Sequence, residues 1–368
     1  MMDRRKILNW LREEDPQRLD ALWSQADTVR RENVGEEIHL RGLIEISNFC
    51  VRRCAYCGLR ADNQDLKRYR MSETEIMGCV RQALDFGYGT VVVQSGEDYG
   101  IKTDWLAGII RRIKAETPLA VTLSLGERPD EDLIAWREAG ADRYLLRFET
   151  SNRTLYDRIH PPLPGKRSDR IAILRKLQLL GYEAGSGVMV GIPGQTYEDL
   201  ADDIETFRCL DLDMIGVGPY IPHPQTPLWR EMPPSIKTGG RPADPFGGPQ
   251  FRQNGQQVPN TEGMTYKVIA LTRIVCPKAN IPSTTALATL NLANGREQGL
   301  ARGANVVMPN LTPPAYRALY EIYPAKACVF ENPRDCHACL HRRILSMGRK
   351  VGIGRGDSPR RTSLDARK

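Results

Sequence analysis

The chain of 368 residues has no run of about 18 apolar residues, the length a helix needs to cross a bilayer, so no membrane-spanning helix is expected. Its first thirty residues are charged throughout and lack the apolar stretch of a secretory leader; a cytoplasmic protein is expected. A basic excess of +7 gathers toward the C-terminus, from Arg342 to Lys368, without interleaved aromatic residues. Single-stranded nucleic acids favour stacking aromatics. The stretch therefore reads as a solvated tail, and no nucleic-acid partner is expected. Nine cysteines are present, but not in the pattern of a disulfide framework. Three fall within 50–57 and three within 328–339, while Cys79, Cys209 and Cys276 stand alone on helical stretches and read as small buried hydrophobes. Clustered thiols in a large chain without a leader point to metal ligands in a reducing, oxygen-poor compartment.

The first cluster is Cys50, Cys54 and Cys57, spaced C-x3-C-x2-C, with Tyr56 before the last cysteine and an apolar strand-like segment before the first. A fourth cysteine is missing. A structural zinc ion takes four ligands in a closed tetrahedron, and a 4Fe-4S cluster usually takes four thiolates. Three thiolates on one short loop leave one iron of such a cluster open to bind and reduce a small molecule. The alternatives are a zinc site with a remote fourth ligand, or three unrelated thiols.

Short β-branched runs alternate with helical stretches through most of the chain. Strands are expected at 38–46, 90–95, 120–125, 143–149, 184–192, 214–221, 281–287 and 304–308. Helical patterns lie near 72–86, 104–115, 130–139, 168–180, 196–210, 264–275, 296–302 and 315–322. Most of the strands are apolar on both faces, as in a parallel sheet covered by helices. Eight such units predict an α/β fold, a (β/α)8 TIM-type barrel over 36–325. A helical extension precedes it over 1–35, and a cysteine-containing extension follows over 326–368. A doubly wound open sheet or a partial barrel is the alternative.

A TIM-type barrel carries its chemistry at the C-terminal ends of its strands. The cysteine loop follows the first. The others end in Gln94-Ser95-Gly96, Ser124-Leu125-Gly126, Arg147-Phe148-Glu149, Gly191-Ile192-Pro193-Gly194-Gln195, Gly218-Pro219-Tyr220, Thr284-Thr285 and Met308-Pro309-Asn310. A carboxylate such as Glu149 facing a barrel interior must be paired or bind something.

The cysteine loop resembles the signature of the radical S-adenosylmethionine enzymes. The barrel as a whole resembles their biotin-synthase branch, and in detail the HydE family of FeFe-hydrogenase maturases. The likeness is carried by SNFCVRRCAYCGLRADNQDLKRYR at 47–70, VQSGED at 93–98, VTLSLG at 121–126 and ADRYLLRFET at 141–150. VGIPGQ at 190–195, GVGPYIPHPQT at 216–226, IPSTT at 281–285 and GANVVMP at 303–309 extend it, so it spans about 36–345. The resemblance implies a 4Fe-4S cluster on Cys50, Cys54 and Cys57, and S-adenosylmethionine held near Tyr56, Ser95, Gly96, Glu149, Arg170, Gly191, Ile192 and Pro193. It implies a substrate cavity lined by Gln94, Thr122, Arg143, Thr284, Thr285 and Tyr320. The implied activity is reductive cleavage of S-adenosylmethionine to a 5'-deoxyadenosyl radical. The implied substrate is a small iron complex with cysteine, CO and cyanide, on the way to the diiron subcluster of the hydrogenase. Ferredoxin or flavodoxin would donate electrons, and other maturation factors are expected partners. Two alternatives stand beside this reading: a carbon-skeleton mutase of the methylornithine synthase type, and a non-catalytic iron–sulfur carrier. Biotin synthase uses cysteines on its barrel strands to hold a sacrificial cluster; none is found on the strands here, which disfavours sulfur insertion by that route.

The second triplet, Cys328, Cys336 and Cys339, has His337 and His341 nearby. It is expected to hold an accessory cluster, as 2Fe-2S, outside the last strand and far from the radical. A zinc site and surface thiols are the alternatives. The Gly-, Pro- and Gln-rich stretch 233–261 is read as disordered, or as a lid or docking surface.

Overall fold

The computed structural model describes residues 2–232 and 256–360; most of the stretch 233–261 lies outside the described residues. Two helices, Arg4–Leu11 and Pro16–Val34, come first. Each opens on an aspartate whose side chain accepts from a backbone N–H three residues on, Asp3 from Lys6 and Asp15 from Arg18. Arg4 and Arg12 tie this extension to the barrel through Asp202 and Glu198 on the helix Tyr197–Leu210.

The strands are β1 (Glu37–Ser47), β2 (Thr90–Ser95), β3 (Ala120–Ser124), β4 (Arg143–Leu145), β5 (Glu183–Val190), β6 (Met214–Pro219), β7 (Val306–Val307) and β8 (Lys350–Val351). The first seven are parallel neighbours in the order β6-β5-β4-β3-β2-β1-β7. The gap between β6 and β7 is spanned by residues 280–282. Met214 pairs with Asn280 and Pro282 with Val306, and the Asn280 N–H donates to the Asp213 carbonyl at 2.9 Å. The ring closes with eight staves, as the alternation of elements leads one to expect.

Two strand expectations need correction. The seventh, placed at 281–287, reaches only to Pro282: Thr284 is the N-cap and Thr285–Leu290 is a helix. The sequence TALATL alternates Thr with Ala and Leu, so β-branched content suggested a strand, but Pro282 lacks the N–H a ladder needs and Ala and Leu favour helix. The fourth, placed at 143–149, is regular only to Leu145; the chain then bends and pairs again at Glu149 with Val188. Glu149 has φ +62, which breaks a regular strand.

Most helices fall where the pattern puts them, but the one expected at 315–322 is only the short turn Pro314–Arg317, and Arg153–Ile159 and Pro333–Ser346 are helices beyond those expected. Ser72 and Glu75 form a reciprocal cap on Glu73–Asp85, and Thr196 with Asp199 does the same for Tyr197–Leu210. Of the isolated cysteines, Cys79 is buried and Cys276 partly buried, while Cys209 is exposed.

The C-terminal segment is not a solvated tail over its described length. β8 pairs with the start of β1, and the residues after it cross the floor of the barrel. There the Arg41 Nη2 donates to the Gly356 carbonyl at 2.9 Å and Arg143 pairs with Asp357. Arg355 reaches Asp142 at 2.6 Å. A side chain at Gly356 would sit 2.7 Å from the His39 ring, and its φ is +58, so this crossing needs glycine. Arg361, Arg367 and Lys368 lie outside the described residues. Among the described residues no helix is long and apolar enough to cross a membrane.

Candidate active site

β1 delivers the chain into the cysteine loop, and backbone bonds fix that loop on three sides. Val51 N–H donates to the Glu97 carbonyl at 2.9 Å, Ala55 to Ile159 at 2.8 Å, and Gly58 to Ile322 at 3.0 Å. Asn48 braces the entry by donating to the Lys67 and Leu319 carbonyls while accepting from Tyr69 N–H at 2.7 Å. Arg52, inside the loop, is buried and bridges Glu97 at 2.7 Å and Glu127 at 2.8 Å. Gly96 lies against the loop: a Cβ there would meet the Phe49 carbonyl at 2.2 Å and the Cys50 Cβ at 2.9 Å. Gly96 and the cysteine loop are therefore one packed unit.

Burial pushes all three thiols up, Cys57 to about 12, and Cys54 is pushed further by Cys50 and Cys57 beside it. Sulfurs so placed need a cation to become thiolates, which is what iron supplies. Among the described residues one set of three donor atoms all lies within 4.8 Å of one another, and it is not this set. The three loop sulfurs are thus not all within that reach of one another.

A cavity of about 340 Å³ opens beneath the loop. Tyr56, Cys57, Gln94, Glu149, Thr284 and Thr285 line it. Tyr56 Oη donates to Glu149 Oε1 at 3.4 Å, and Arg147 Nε holds Glu149 Oε2 at 3.1 Å. Tyr320 is buried beside the cavity, where its hydroxyl accepts from Gln94 Nε2 at 3.3 Å. Gly191 has φ +82, and its N–H donates to Gln195 Oε1 at 2.7 Å, as does Ile192 N–H at 3.2 Å. Ile192 joins Ala55, Met189, Tyr220 and Leu228 in an apolar cluster against Tyr56. The Pro193 carbonyl accepts from Arg158 at 3.1 Å. Ser95 Oγ turns onto the Gly96 carbonyl.

Thr122 and Arg143 do not line this cavity. Thr122, in the middle of β3, is buried one same-face step below the cavity-lining Ser124 and pairs with Arg143 at the start of β4. There Arg143 donates to Glu183 at 2.7 Å and Thr90 at 2.9 Å, so its guanidinium serves the floor. The misplacement has a simple cause: a strand's two ends read alike in sequence.

The cavity also holds Arg147 and Asn310, which the strand ends offered without a role, and three residues that sequence reading missed: Glu45, Arg296 and Lys326. Lys326 Nζ meets Glu45 at 2.6 Å, and Asn310 donates to the other Glu45 oxygen at 2.9 Å. Glu45 carried a signal, a carboxylate in the apolar run Leu43-Ile44-Glu45-Ile46. The second triplet also needs correction. Cys328 and Cys336 are not remote but line the same cavity as Cys57.

Arg170 sits close beneath the loop, 9% exposed. Its Nε donates to Glu127 at 2.9 Å, Nη1 to the Arg147 carbonyl at 2.6 Å, and Nη2 to His160 Nε2 at 2.5 Å. An arginine only donates, so His160 Nε2 accepts, and its Nδ1–H faces Tyr156 Oη at 3.0 Å. Burial, with Arg170 and Arg52 adding to it, holds the imidazole neutral with its pKa down to about 2. Because that value lies below the ordinary 6.5, the contribution of His160 to stability is present above about pH 6.5 and is lost as pH falls. A slope of one proton costs about 1.4 kcal/mol per pH unit, so about 2 kcal/mol is expected to be lost between pH 6.5 and 5. Urea unfolding at pH 7.5 and 5.0 checks this: His160→Gln should flatten that part of the acid sensitivity, and equal slopes in both proteins would refute it.

Residues 44–207 match the family model of the Radical SAM superfamily. Over 333 residues, 90% of this chain and 87% of the other, the sequence is 47% identical to the FeFe hydrogenase maturase subunit HydE of Thermotoga maritima. The chain belongs to the HydE family. Membership makes it a radical S-adenosylmethionine enzyme and implies a 4Fe-4S cluster and S-adenosylmethionine. Similarity beyond HydE is lower: 26% identity to the 3-methylornithine synthase of Methanosarcina acetivorans, over 94% of this chain and 88% of that one. In fold, this HydE-family chain superposes on methylornithine synthase (PylB) with a TM-score of 0.76 at 24% identity, covering 100% and 96% of the two chains. It also superposes on the FeFe-hydrogenase maturase HydG at 0.74 and 16%, covering 98% and 76%.

Proposed function

We propose that this chain cleaves S-adenosylmethionine at the mouth of its barrel and uses the radical on a small iron complex bearing cysteine, CO and cyanide. The step would serve assembly of the diiron subcluster of FeFe-hydrogenase. One observation carries the reading: the three-thiol loop opens on a cavity with charged residues in its lining, in a chain 47% identical to a HydE. When bound, the cluster on Cys50, Cys54 and Cys57 supplies the electron that splits the sulfonium into methionine and a 5'-deoxyadenosyl radical. Glu149 and Arg170 suit the ribose hydroxyls or ammonium and the carboxylate of S-adenosylmethionine. The apolar cluster around Ile192 and Tyr56 offers a bed for the adenine. Arg147, Arg296 and Lys326 outnumber Glu45 and Glu149 in the lining, and Arg147 and Lys326 are paired with those carboxylates, so Arg296 carries the positive excess that suits an anionic iron complex. A reduced ferredoxin or flavodoxin is the proposed electron donor, and other maturation factors the proposed partners. Cys328 and Cys336 support an accessory metal centre; the sequence triplet with Cys339 suggests 2Fe-2S.

A second reading is favoured by the likeness to 3-methylornithine synthase. A mutase would place an amino-acid carboxylate on an arginine and its amines on Glu45 or Glu149. Anaerobic reconstitution followed by dithionite and S-adenosylmethionine separates the two. An adenosylated product in place of free 5'-deoxyadenosine on adding the synthetic iron precursor is the expected result. Stimulation by lysine with indifference to the precursor would overturn it in favour of the mutase.

A further inference from the structure

We propose that His160 is a positioning residue for S-adenosylmethionine binding: by accepting at Nε2 it fixes the guanidinium plane of Arg170, the group proposed to take the carboxylate of that molecule. The role rests on that pairing of Arg170 and names what holds it ready. Five side chains close a ring of hydrogen bonds. Arg170 Nη2 donates to His160 Nε2 at 2.5 Å. His160 Nδ1 meets Tyr156 Oη at 3.0 Å, and Tyr156 Oη meets Ser168 Oγ at 2.6 Å. Ser168 Oγ donates to Glu127 Oε1 at 2.5 Å, and Arg170 Nε donates to the same oxygen at 2.9 Å. His160, Tyr156, Ser168 and Glu127 are all buried.

The chemistry of the members allows one arrangement of protons. A guanidinium only donates and a carboxylate only accepts. His160 Nε2 is therefore the acceptor, its Nδ1–H donates to Tyr156, Tyr156 donates to Ser168, and Ser168 to Glu127. Every link runs away from Arg170 and ends on Glu127, so all are satisfied at once. A protonated imidazole would aim a second N–H at Arg170 and open the ring; burial and the charges of Arg170 and Arg52 keep it neutral. Arg170 is also held at Nη1 by the Arg147 carbonyl at 2.6 Å. Three contacts from three parts of the chain thus define the plane: Glu127 after β3, Arg147 after β4, and His160 at the end of the helix Arg153–Ile159. They use three of the five N–H of an arginine and leave two for a ligand. The ring is tied to the cysteine loop as well. Arg52 Nη2 donates to Glu127 Oε2 at 2.8 Å, and the carbonyl of Ile159, next to His160, accepts from Ala55 N–H at 2.8 Å. Without His160, Nη2 loses its acceptor and the plane turns about the two contacts that remain, which leaves the carboxylate site present but loose.

The test is S-adenosylmethionine binding by the reconstituted full-length enzyme, measured by calorimetric titration without oxygen, with 5'-deoxyadenosine turnover and iron per chain measured beside it. His160→Leu is expected to weaken binding about tenfold, and to raise KM with kcat kept within about twofold. His160→Gln, whose Oε1 accepts where Nε2 did, should stay within about threefold of the wild type. Arg170→Gln should weaken binding at least as much as His160→Leu. Full affinity in Arg170→Gln would overturn the pairing of Arg170 with the carboxylate. Weakening by Arg170→Gln with full affinity in His160→Leu would leave that pairing standing and overturn the role of His160. Equal losses in His160→Leu and His160→Gln, or a fall in kcat alone, would overturn it too. Should His160→Leu not hold its iron, Tyr156→Phe is read instead. It removes the acceptor of the Nδ1–H, so binding about threefold weaker is expected, and unchanged binding overturns the role.

Discussion

Replacing Cys54 with alanine is expected to bring 5'-deoxyadenosine formation down to that of an enzyme-free control. Cys54 is the most buried of the three loop cysteines, at 7% exposure, and its thiol is pushed up furthest, by burial and then by its two neighbours. The loop offers three thiolates and no fourth, so losing one leaves two ligands for a cluster that already has an open iron. No nearby side chain can replace it: Arg52 and Arg60 flank the loop as cations bound to Glu97 and to the Cys54 carbonyl. The measurement is chromatographic quantification of 5'-deoxyadenosine after reconstitution and reduction, with iron counted per chain. Cys79→Ala is the control. It removes an equally buried sulfur from the helix Glu73–Asp85, and is expected to cost stability but to keep cleavage. Turnover by Cys54→Ala near that of the wild type would contradict the assignment of the cluster. The second cysteine triplet should be untouched, because Cys328, Cys336 and Cys339 belong to a different segment.

The sequence disclosed the barrel because β-branched runs and amphipathic stretches alternate without a break, and each run is apolar enough to be a covered parallel strand. It disclosed the loop cysteines because three ligands within eight residues need no tertiary information to meet. Strand ends were less legible. Residues 285–287, the start of the helix Thr285–Leu290, read as strand because Thr and Leu serve both structures, and only pairing at Asn280 and Pro282 decides. Arg143 was assigned to the cavity although it faces the floor, because polarity within a strand says which residue is inward but not how deep it lies. The cavity pair Lys326–Glu45 joins positions 281 residues apart, and no local pattern announces such a pair.

Arg52→Met is expected to destabilise the chain by about 3–5 kcal/mol, the range for removing one partner of a buried ion pair. Arg52 is 4% exposed and bridges two carboxylates, Glu97 at 2% and Glu127 at 11%. Burial raises the Glu97 carboxyl, and Arg52 is the largest influence working against that rise. Burial also works to raise Glu127, but Arg170, Ser168 and Arg52 outweigh it and hold that carboxyl below its ordinary 4.5. Without the guanidinium both carboxylates become buried charges short of a partner, and both take up protons more readily. The sign follows from linkage. Glu127 stabilises the wild type above the ordinary carboxyl range and loses that contribution as pH falls through its depressed value. The deficit of Arg52→Met is therefore largest near neutrality and shrinks in acid, where protonation removes the unpaired charge. Arg52→Lys should lie between the two, since an ammonium keeps the charge but cannot span two carboxylates as the guanidinium fork does. Chemical unfolding of the three proteins at pH 7.5 and 5.5 reads this order. The same network touches function, because Glu127 also anchors Arg170 at 2.9 Å and Arg52 lies between Cys50 and Cys54 in the loop. Arg52→Met should therefore lose iron from the loop faster than the wild type on desalting. Equal unfolding midpoints at pH 7.5 would mean that water, not Arg52, satisfies Glu97 and Glu127, and that the loop is held by its backbone bonds alone.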